Sequence, residues 1–265
     1  MYKLISKIDL IKVMFRLFLL EASWNFEKLQ NIGFAYTILP IAKRLYADFE
    51  GRKEFMKRHL KFFNTHPAMA SFITGVVINL EEKMKLGEEI KPDDIENIKN
   101  SMMGPLAAIG DNFFWEYLRP FTALVGVIIV MLCRDNYGLA FLGPLVAIFL
   151  YNSFGLLVRY LGIIKGYEMG VEIVPYIGKL NLRSLNEKIS LMSLILLGAT
   201  FPAIFVLKQV HLLPASMPPV ADNALKSLFM FGLAFLMMAG IKIKITPTVI
   251  FYGVIAVAVV STYIR

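Results

Sequence analysis

The chain has 265 residues, of which 57% are hydrophobic and 18% are charged, and its mean hydropathy is +0.61. A soluble domain is about 45–50% apolar, so this composition indicates a membrane protein. The net charge of +8 favours cytoplasmic loops beside anionic lipid over nucleic-acid binding. The single cysteine, Cys133, excludes an intramolecular disulfide and a cysteine metal cluster.

Residues 2–20 predict an amphipathic helix, because basic and apolar residues recur at helical spacing on opposite sides. This composition favours a helix that lies in the membrane interface, with packing on a partner subunit as the alternative. The basic residues are Lys3, Lys7, Lys12 and Arg16, and the apolar residues are Leu4, Ile5, Ile8, Ile11, Phe15 and Phe18.

The next polar motif is Ser23-Trp24-Asn25-Phe26-Glu27. Ser23 is a candidate helix cap. Trp24 and Asn25 have two interpretations, either packing with one hydrogen bond or contact with a ligand. Residues 43–61 are mostly basic and predict a cytoplasmic segment, in which His59 is expected to be solvated.

Residues 62–80 lack formal charge apart from His66 and are nearly long enough to span a membrane. Pro67 and Gly75 are predicted to interrupt them, which favours a re-entrant hairpin over a crossing. Asn64 and Thr65 near its start either cap a helix or contribute to a cavity. His66 is interpreted as a hairpin residue with satisfied hydrogen bonds.

Residues 81–99 are acidic and predict a solvated pair of helices or a docking face for a soluble partner. Gly87 is predicted to end one helix, and Pro92-Asp93-Asp94 to begin another. The pair Asp93-Asp94 has no supporting ligand at metal-binding spacing, so we predict no metal site.

The stretch from Gly104 to Pro120 is the most informative part of the chain. Gly104-Pro105 and Gly110-Asp111 are predicted to break a helix, and Asp111, Trp115 and Arg119 then share one helical face. Irregular backbone beside an apolar run indicates a broken helix that lines a cavity. The alternative roles are helix capping by Asp111, a Glu116–Arg119 ion pair and a cation–π contact between Arg119 and Trp115.

Four apolar runs follow, at about 138–158, 189–207, 225–241 and 247–264, each near the length of a membrane span. The basic segments between them predict that residues 1–119 lie inside and that loop 208–224 and Arg265 lie outside. We therefore predict an all-α polytopic membrane protein with re-entrant or broken helices. Its N-terminal part would comprise residues 1–119, with an interfacial helix, cytoplasmic helices and re-entrant segments, and residues 120–265 would form transmembrane helices.

Four motifs in order resemble the IID component of the mannose/fructose/sorbose family of bacterial sugar phosphotransferase systems. The motifs are Ser23-Trp24-Asn25-Phe26-Glu27, Phe62-Phe63-Asn64-Thr65-His66-Pro67, Gly104-Pro105-Leu106-Ala107 through Arg119-Pro120, and Leu142-Gly143-Pro144-Leu145 with Asn152. Asn112 departs from the family pattern, which has proline or serine there.

The resemblance implies a subunit that carries no catalytic residue, metal or cofactor of its own. A IIC membrane subunit would be its obligate partner, in a higher-order IIC–IID oligomer in the bacterial inner membrane. Soluble IIA and IIB phosphocarriers would phosphorylate the sugar. A membrane-bound structural or regulatory subunit that no longer transports is the alternative.

Sugar recognition requires side chains that donate and accept hydrogen bonds, together with a flat apolar surface. The predicted sugar-binding residues are Trp24, Asn25, Asn64, Thr65, Asp111, Asn112, Glu116 and Arg119.

Overall fold

The computed structural model describes residues 4–133, 136–179 and 182–207, together with Gly232 and Phe235. Within these residues the chain is helical, with isolated β-bridges but no strand, which confirms the predicted all-α fold. The α-helices are α1 (Lys7–Arg16), α2 (Asn31–Leu45), α3 (Phe49–His59), α4 (Ala70–Lys85), α5 (Pro92–Gly110), α6 (Arg119–Leu132), α7 (Tyr137–Ala140), α8 (Leu142–Met169), α9 (Ile173–Lys179) and α10 (Leu182–Leu207).

Helix α1 begins later than predicted because a capping box fixes its start. Ser6 Oγ accepts a hydrogen bond from the Asp9 amide, and the Asp9 carboxylate accepts one from the Ser6 amide. Upstream, the amides of Leu4 and Ile5 donate to the buried carboxylate of Glu82. The segment before Ser6 is therefore held by α4 and does not join the helix.

Helix α1 carries two apolar faces. One face is buried in the main core and consists of Leu10, Val13 and Met14. The other contains predicted apolar residues that remain exposed, namely Ile8, Ile11 and Phe15, and Phe18 extends it into the 3₁₀ turn that follows. The interfacial position of this helix stays a prediction.

Two glycines allow α4 and α8 to approach closely. A Cβ atom at Gly75 would lie 2.6 Å from the carbonyl oxygen of Ile163, and one at Gly166 would lie 2.6 Å from that of Phe72. Small residues at a crossing are typical of helix packing in membranes. The predicted interruption at Gly75 is wrong, because α4 is regular there and the glycine serves helix–helix contact instead.

The boundary between α4 and α5 is confirmed. Helix α4 ends at Lys85, and Gly87 has a φ of 92°, which glycine adopts without steric strain. Helix α5 begins at Pro92, and the Asp94 carboxylate accepts a hydrogen bond of 2.9 Å from the Lys91 amide. Local turn and cap chemistry therefore determines this connection.

Two helical runs, Pro92–Leu132 and Tyr137–Gly178, are long and apolar enough to cross a membrane. Few residues of either run are buried in the described structure. Helix α8 continues past Arg159 to Met169, beyond the predicted run at 138–158. The predicted runs at 225–241 and 247–264 and the loop at 208–224 lie outside the described residues, apart from Gly232 and Phe235.

The chain forms two compact units, Met1–Leu194 and Ile195–Arg265. The first unit contains the main apolar core, to which α1 through α5, α8 and α9 contribute buried side chains. The described part of the second unit is mainly the C-terminal portion of α10. The predicted division at residue 119 concerns placement relative to the membrane and stays a prediction.

Candidate functional site

The stretch from Gly104 to Pro120 changes from α-helical to π-helical winding. Helix α5 passes through Gly104-Pro105, and from Asp111 to Leu118 the chain forms a π-helix that joins α5 to α6. The predicted break at Gly104-Pro105 is wrong, because a long packed helix tolerates the one hydrogen bond that a proline removes. The irregularity predicted at Gly110-Asp111 appears as this wider winding.

The π-helix directly precedes Pro120, near the start of α6. In a regular α-helix the proline ring would clash with the carbonyl of Glu116, four residues earlier, and would offer that carbonyl no N–H group. A wider turn changes the position of this carbonyl relative to the ring. π-Helical turns occur frequently at functional sites, so the winding itself identifies a candidate site.

The π-helix separates apolar from polar side chains. Phe113, Phe114 and Leu118 are buried in a small cluster with Ala68. The exposed face carries the polar residues predicted as sugar contacts, together with Trp115, namely Asp111, Asn112, Trp115, Glu116 and the following Arg119. The fold therefore places five candidate residues on one exposed surface.

Asp111 does not cap a helix, so the predicted capping role is wrong. Its backbone is helical, at φ −61° and ψ −49°, and it lies within the continuous run from Pro92 to Leu132. Within the described residues its carboxylate accepts no hydrogen bond from the protein. Its acceptor capacity is therefore available to a ligand or a partner.

Arg119 contacts Trp115 rather than Glu116. The guanidinium carbon lies 5.2 Å from the centre of the Trp115 ring, which confirms the predicted cation–π contact. Glu116 and Arg119 form no ion pair in the described structure, so that alternative is wrong. Arg119 retains guanidinium donors for a further partner, and Glu116 retains its acceptors.

His66, in the loop before α4, packs against the π-helix. Its ring stacks on Phe114 with centroids 4.7 Å apart and meets Trp115 edge-on at 5.9 Å. The Nδ1 atom accepts a hydrogen bond of 3.2 Å from the Ala68 amide, so a neutral ring carries its proton on Nε2. Nε2 is buried without a hydrogen-bond partner in the described protein.

The interpretation of His66 as a residue with satisfied hydrogen bonds is therefore wrong. A buried donor without an acceptor is unfavourable, and such groups in native proteins often indicate a function or an absent partner. Sequence reasoning missed it because His66 precedes Pro67, which suggested a turn. A titratable residue within an otherwise uncharged stretch was the available signal.

Asn64 and Thr65 lie on the same loop, but they differ in the hydrogen bonds that their side chains form. Thr65 is buried, its amide donates to Gln30 Oε1 at 3.0 Å, and its hydroxyl donates to the Met103 carbonyl at 3.1 Å. Asn64 is exposed, and only its backbone amide is engaged, at 3.2 Å from Met103 Sδ. Thr65 thus holds the loop against α5, whereas the Asn64 side chain remains available.

Trp24 and Asn25 lie in a loop that packs beside the Asn64 loop. The Asn25 side chain accepts from the Lys28 amide at 2.8 Å and donates to Asn31 Oδ1 at 2.8 Å. Trp24 is 48% exposed and meets Phe26 edge-on. No ring contact or hydrogen bond joins Trp24 to the π-helix in the described structure. Ser23 lies in a turn and not at a helix start, so its predicted capping role is wrong.

A second ionisable cluster is buried between α3 and α4. Arg58 donates from Nη2 to Glu81 Oε2 at 2.8 Å, and His59 Nε2 lies 2.9 Å from Glu81 Oε1. His59 is 1% exposed, so the expectation that it is solvated is wrong. Glu81, Glu82 and Lys99 are also buried, so the acidic segment that was predicted to be solvated is solvated only in part.

The protonation of this pair follows from its surroundings. Burial lowers the pKa of His59 below 6.5, although its hydrogen bond with Glu81 opposes the shift. Burial would raise the pKa of Glu81, but hydrogen bonds and charges from His59 and Arg58 outweigh it and lower the pKa. A neutral His59 therefore donates to an ionised Glu81. No group of His, Cys, Asp or Glu within the described ranges could hold a metal ion.

The sequence matches the family model for the PTS system mannose/fructose/sorbose family IID component over residues 4–265. It is 40% identical to the mannose-specific EIID component of Escherichia coli K12 over 198 residues, 74% of this chain and 68% of the relative. It is 31% identical to the sorbose-specific EIID component of Klebsiella pneumoniae over 270 residues, 98% of this chain and 96% of the relative. The fructose permease IID component of Bacillus subtilis is 34% identical over 197 residues, 74% of this chain and 70% of the relative.

Two solved structures resemble the whole chain. One is a chain of the cryoEM structure of the mannose transporter ManYZ with microcin E492, with a TM-score of 0.58 and 32% identity over 98% of this chain and 97% of that one. The other, described as a membrane protein, has a TM-score of 0.74 and 33% identity over 99% of this chain and 98% of that one. The chain therefore belongs to the mannose/fructose/sorbose family of PTS IID components, which are membrane subunits of sugar permeases.

Proposed function

We propose that this chain and a IIC-type membrane subunit together form a path by which a sugar crosses the bacterial inner membrane. The observation that carries the proposal is the exposed polar face of the π-helix, from Asp111 to Arg119. Polar groups within an apolar helical run are unfavourable in lipid, so they require a polar cavity or a protein partner. A sugar path between two subunits provides both.

The proposed contacts divide by chemistry. Asp111 and Glu116 accept hydrogen bonds from sugar hydroxyls, Arg119 donates, and Asn64 and Asn112 do both. Trp24 and Trp115 offer exposed aromatic surface, and His66 offers its unpaired Nε2–H donor. Asn25 and Thr65 act as positioning residues, since Asn25 ties its own loop to the start of α2 and Thr65 ties its loop to α5.

Phosphate transfer belongs, in this proposal, to soluble IIA and IIB partners. The chain binds and conducts the sugar, spans the membrane several times and assembles into a higher-order IIC–IID oligomer. The segment from Lys43 to Lys61 faces the cytoplasm, because basic segments are retained there. The relatives are named for mannose, sorbose and fructose, so the names support a hexose but do not select one.

The experiment is sugar uptake in cells that lack their own permease of this family. The chain is expressed with a IIC-type subunit and IIA/IIB phosphocarriers, and uptake of labelled mannose, fructose and sorbose is measured. Asp111→Asn removes charge-assisted hydrogen bonds while retaining side-chain size, so uptake of the transported sugar should fall about 5- to 150-fold, equivalent to roughly 1–3 kcal/mol. The amount of complex recovered from the membranes should not change.

Asp93→Asn is the matched control, because Asp93 is an exposed carboxylate in the first turn of α5, away from the π-helix. Its uptake should remain within about twofold of the unmodified chain, as for most surface changes. Normal uptake by Asp111→Asn would remove that residue from the sugar path. Assembly with IIC but no uptake of any tested sugar by the unmodified chain would favour the non-transporting alternative.

A further inference from the structure

A groove with a volume of about 380 Å³ lies between α1 and α2, which precede the π-helix by many residues in the sequence. Three of its six lining residues are basic, and none is acidic. The lining residues are Lys12, Phe15, Arg16, Leu39, Pro40 and Lys43. A groove with this composition is suited to a ligand that combines negative charge with apolar groups.

Arg16 is held in this groove by a carbonyl group that Pro40 leaves without its helical hydrogen bond. Pro40 lies inside α2 and has no N–H group to donate to the Tyr36 carbonyl, four residues earlier. Arg16 Nη1 donates to that carbonyl at 2.8 Å, and its guanidinium carbon lies 4.3 Å from the Tyr36 ring centre. The guanidinium is thereby fixed in place, while most of its five donors remain free for an anion.

The two lysines of the groove are at most partly balanced by neighbouring carboxylates. Lys12 and Lys43 are exposed, and neither forms an ion pair within the described structure. Asp9, the one acidic residue of α1, is engaged in the capping box and lies 3.9 Å from Arg44. Asp9 also attracts Lys12, but one carboxylate does not balance three cations, so the groove carries a net positive charge.

The adjoining surface of α1 determines which anion fits. Phe15 lines the groove and is 60% exposed, and Ile8 and Ile11 on this helix and Phe18 in the turn after it are also exposed. A free inorganic anion would gain nothing from these apolar groups. A phospholipid supplies a phosphate for the cations and acyl chains for the apolar residues.

We propose that the groove between α1 and α2 binds the phosphate head group of an anionic phospholipid, with the acyl chains along Phe15. Arg16 provides the fixed phosphate contact, and Lys12 and Lys43 provide mobile ones. This site is separate from the proposed sugar path. It fixes the depth of α1 in the membrane interface, because the head group and the acyl chains lie at defined levels of the bilayer.

The test uses the full chain purified with its co-expressed membrane partner subunit in a neutral detergent. Native mass spectrometry measures the affinity for phosphatidylglycerol and for phosphatidylcholine with the same acyl chains, and inorganic phosphate is added as a competitor. Phosphatidylglycerol should bind at least about tenfold more tightly than phosphatidylcholine, and millimolar phosphate should displace little of it. Lys12→Gln with Lys43→Gln should weaken phosphatidylglycerol binding by about 10- to 30-fold, since each cation near anionic lipid contributes about one kcal/mol.

Lys53→Gln with Lys57→Gln is the control, since it removes the same charge from exposed positions on α3. Its affinity should change by less than about twofold. A third variant, Phe15→Ser, should weaken phosphatidylglycerol binding while thermal unfolding remains unchanged. Equal binding of the two lipids, equal losses in both double variants, or full displacement by inorganic phosphate would overturn the proposal. Sugar uptake is measured separately, so a failed lipid site is distinguishable from a failed sugar path.

Discussion

Glu81 and Asp111 are both carboxylates in largely apolar helices, but the fold surrounds them differently. Glu81 is completely buried and bonded to Arg58 and His59. Asp111 is exposed on the π-helix and accepts no hydrogen bond from the described protein. The first carboxylate is balanced by its own chain, whereas the second is left for a partner or a ligand.

This difference separates stability from function. Removing one partner of a buried ion pair strongly destabilises the fold, because the other charge remains buried and unpaired. An exposed polar group that contacts nothing in the subunit can be changed with little loss of stability. Changes in the α3–α4 cluster should therefore affect unfolding, and changes on the π-helix face should affect uptake.

The largest expected effect is that of Glu81→Ala. Removing this carboxylate leaves the half-buried Arg58 and the buried His59 without their partner, which should lower the free energy of unfolding by about 3 kcal/mol, the lower end of the range for a buried pair. Thermal unfolding of the purified complex and its yield from membranes measure the loss. Glu54→Ala is the control, since Glu54 pairs with Lys57 on an exposed surface, where an ion pair contributes little to stability. Similar midpoints for the two variants would contradict the structural role of Glu81.

His66→Phe should have a smaller effect, and it should reduce sugar uptake rather than stability. Phenylalanine retains the stacking on Phe114 but removes the unpaired Nε2 donor and the contact from the Ala68 amide. Stability should change by less than about 1 kcal/mol, because the lost hydrogen bond and the removed buried donor offset each other. Uptake should fall about tenfold if Nε2 donates to the sugar, as for one hydrogen bond.

The comparison variant for His66 is Phe114→Leu, which removes the stacked ring but retains the imidazole. It should destabilise the complex by about 1–2 kcal/mol through lost packing, with uptake per assembled complex largely retained. Unchanged uptake by His66→Phe would assign that imidazole a purely structural role.

The smallest effect is a pH dependence of unfolding that arises from His59. Because burial lowers the pKa of His59 below 6.5, the unfolded chain binds more protons below pH 6.5, and stability falls as the pH decreases. The loss from pH 7.5 to 5.5 should be at most about 1.4 kcal/mol, the limit for one group whose unfolded pKa is 6.5. Glu81, whose pKa is lowered from 4.5, contributes a further loss only in more acidic solution.

His59→Gln tests this assignment, because glutamine can still donate to Glu81 but does not titrate. Arg58 and Lys99 are the cations near this pair, and the variant retains both. The variant should show a smaller change in thermal midpoint between pH 7.5 and 5.5 than the unmodified complex. An unchanged pH dependence would assign the effect to other groups.

Local chemistry made several features predictable from the sequence. Gly87 and Pro92 define a helix end and a helix start because each restricts the backbone at its own position. The apolar composition indicated a membrane protein, and four short motifs indicated the family that the comparisons show. The polar face of the π-helix could be predicted as well, since spacing along a helix determines which side chains share a surface.

The burial of charge and the winding of helices were decided by tertiary structure. His59 was expected in solvent because its neighbours in sequence are charged, but Glu81, 22 residues later, meets it in the core. Gly75 was predicted to interrupt a helix, and only the approach of α8 shows that it is a contact point between helices. The His66 ring likewise stacks on Phe114, from another segment, and its Nε2 is buried without a hydrogen-bond partner in the described protein. Caps and turns depend on interactions within a few residues, whereas the burial of a charge depends on partners that only the folded chain brings near.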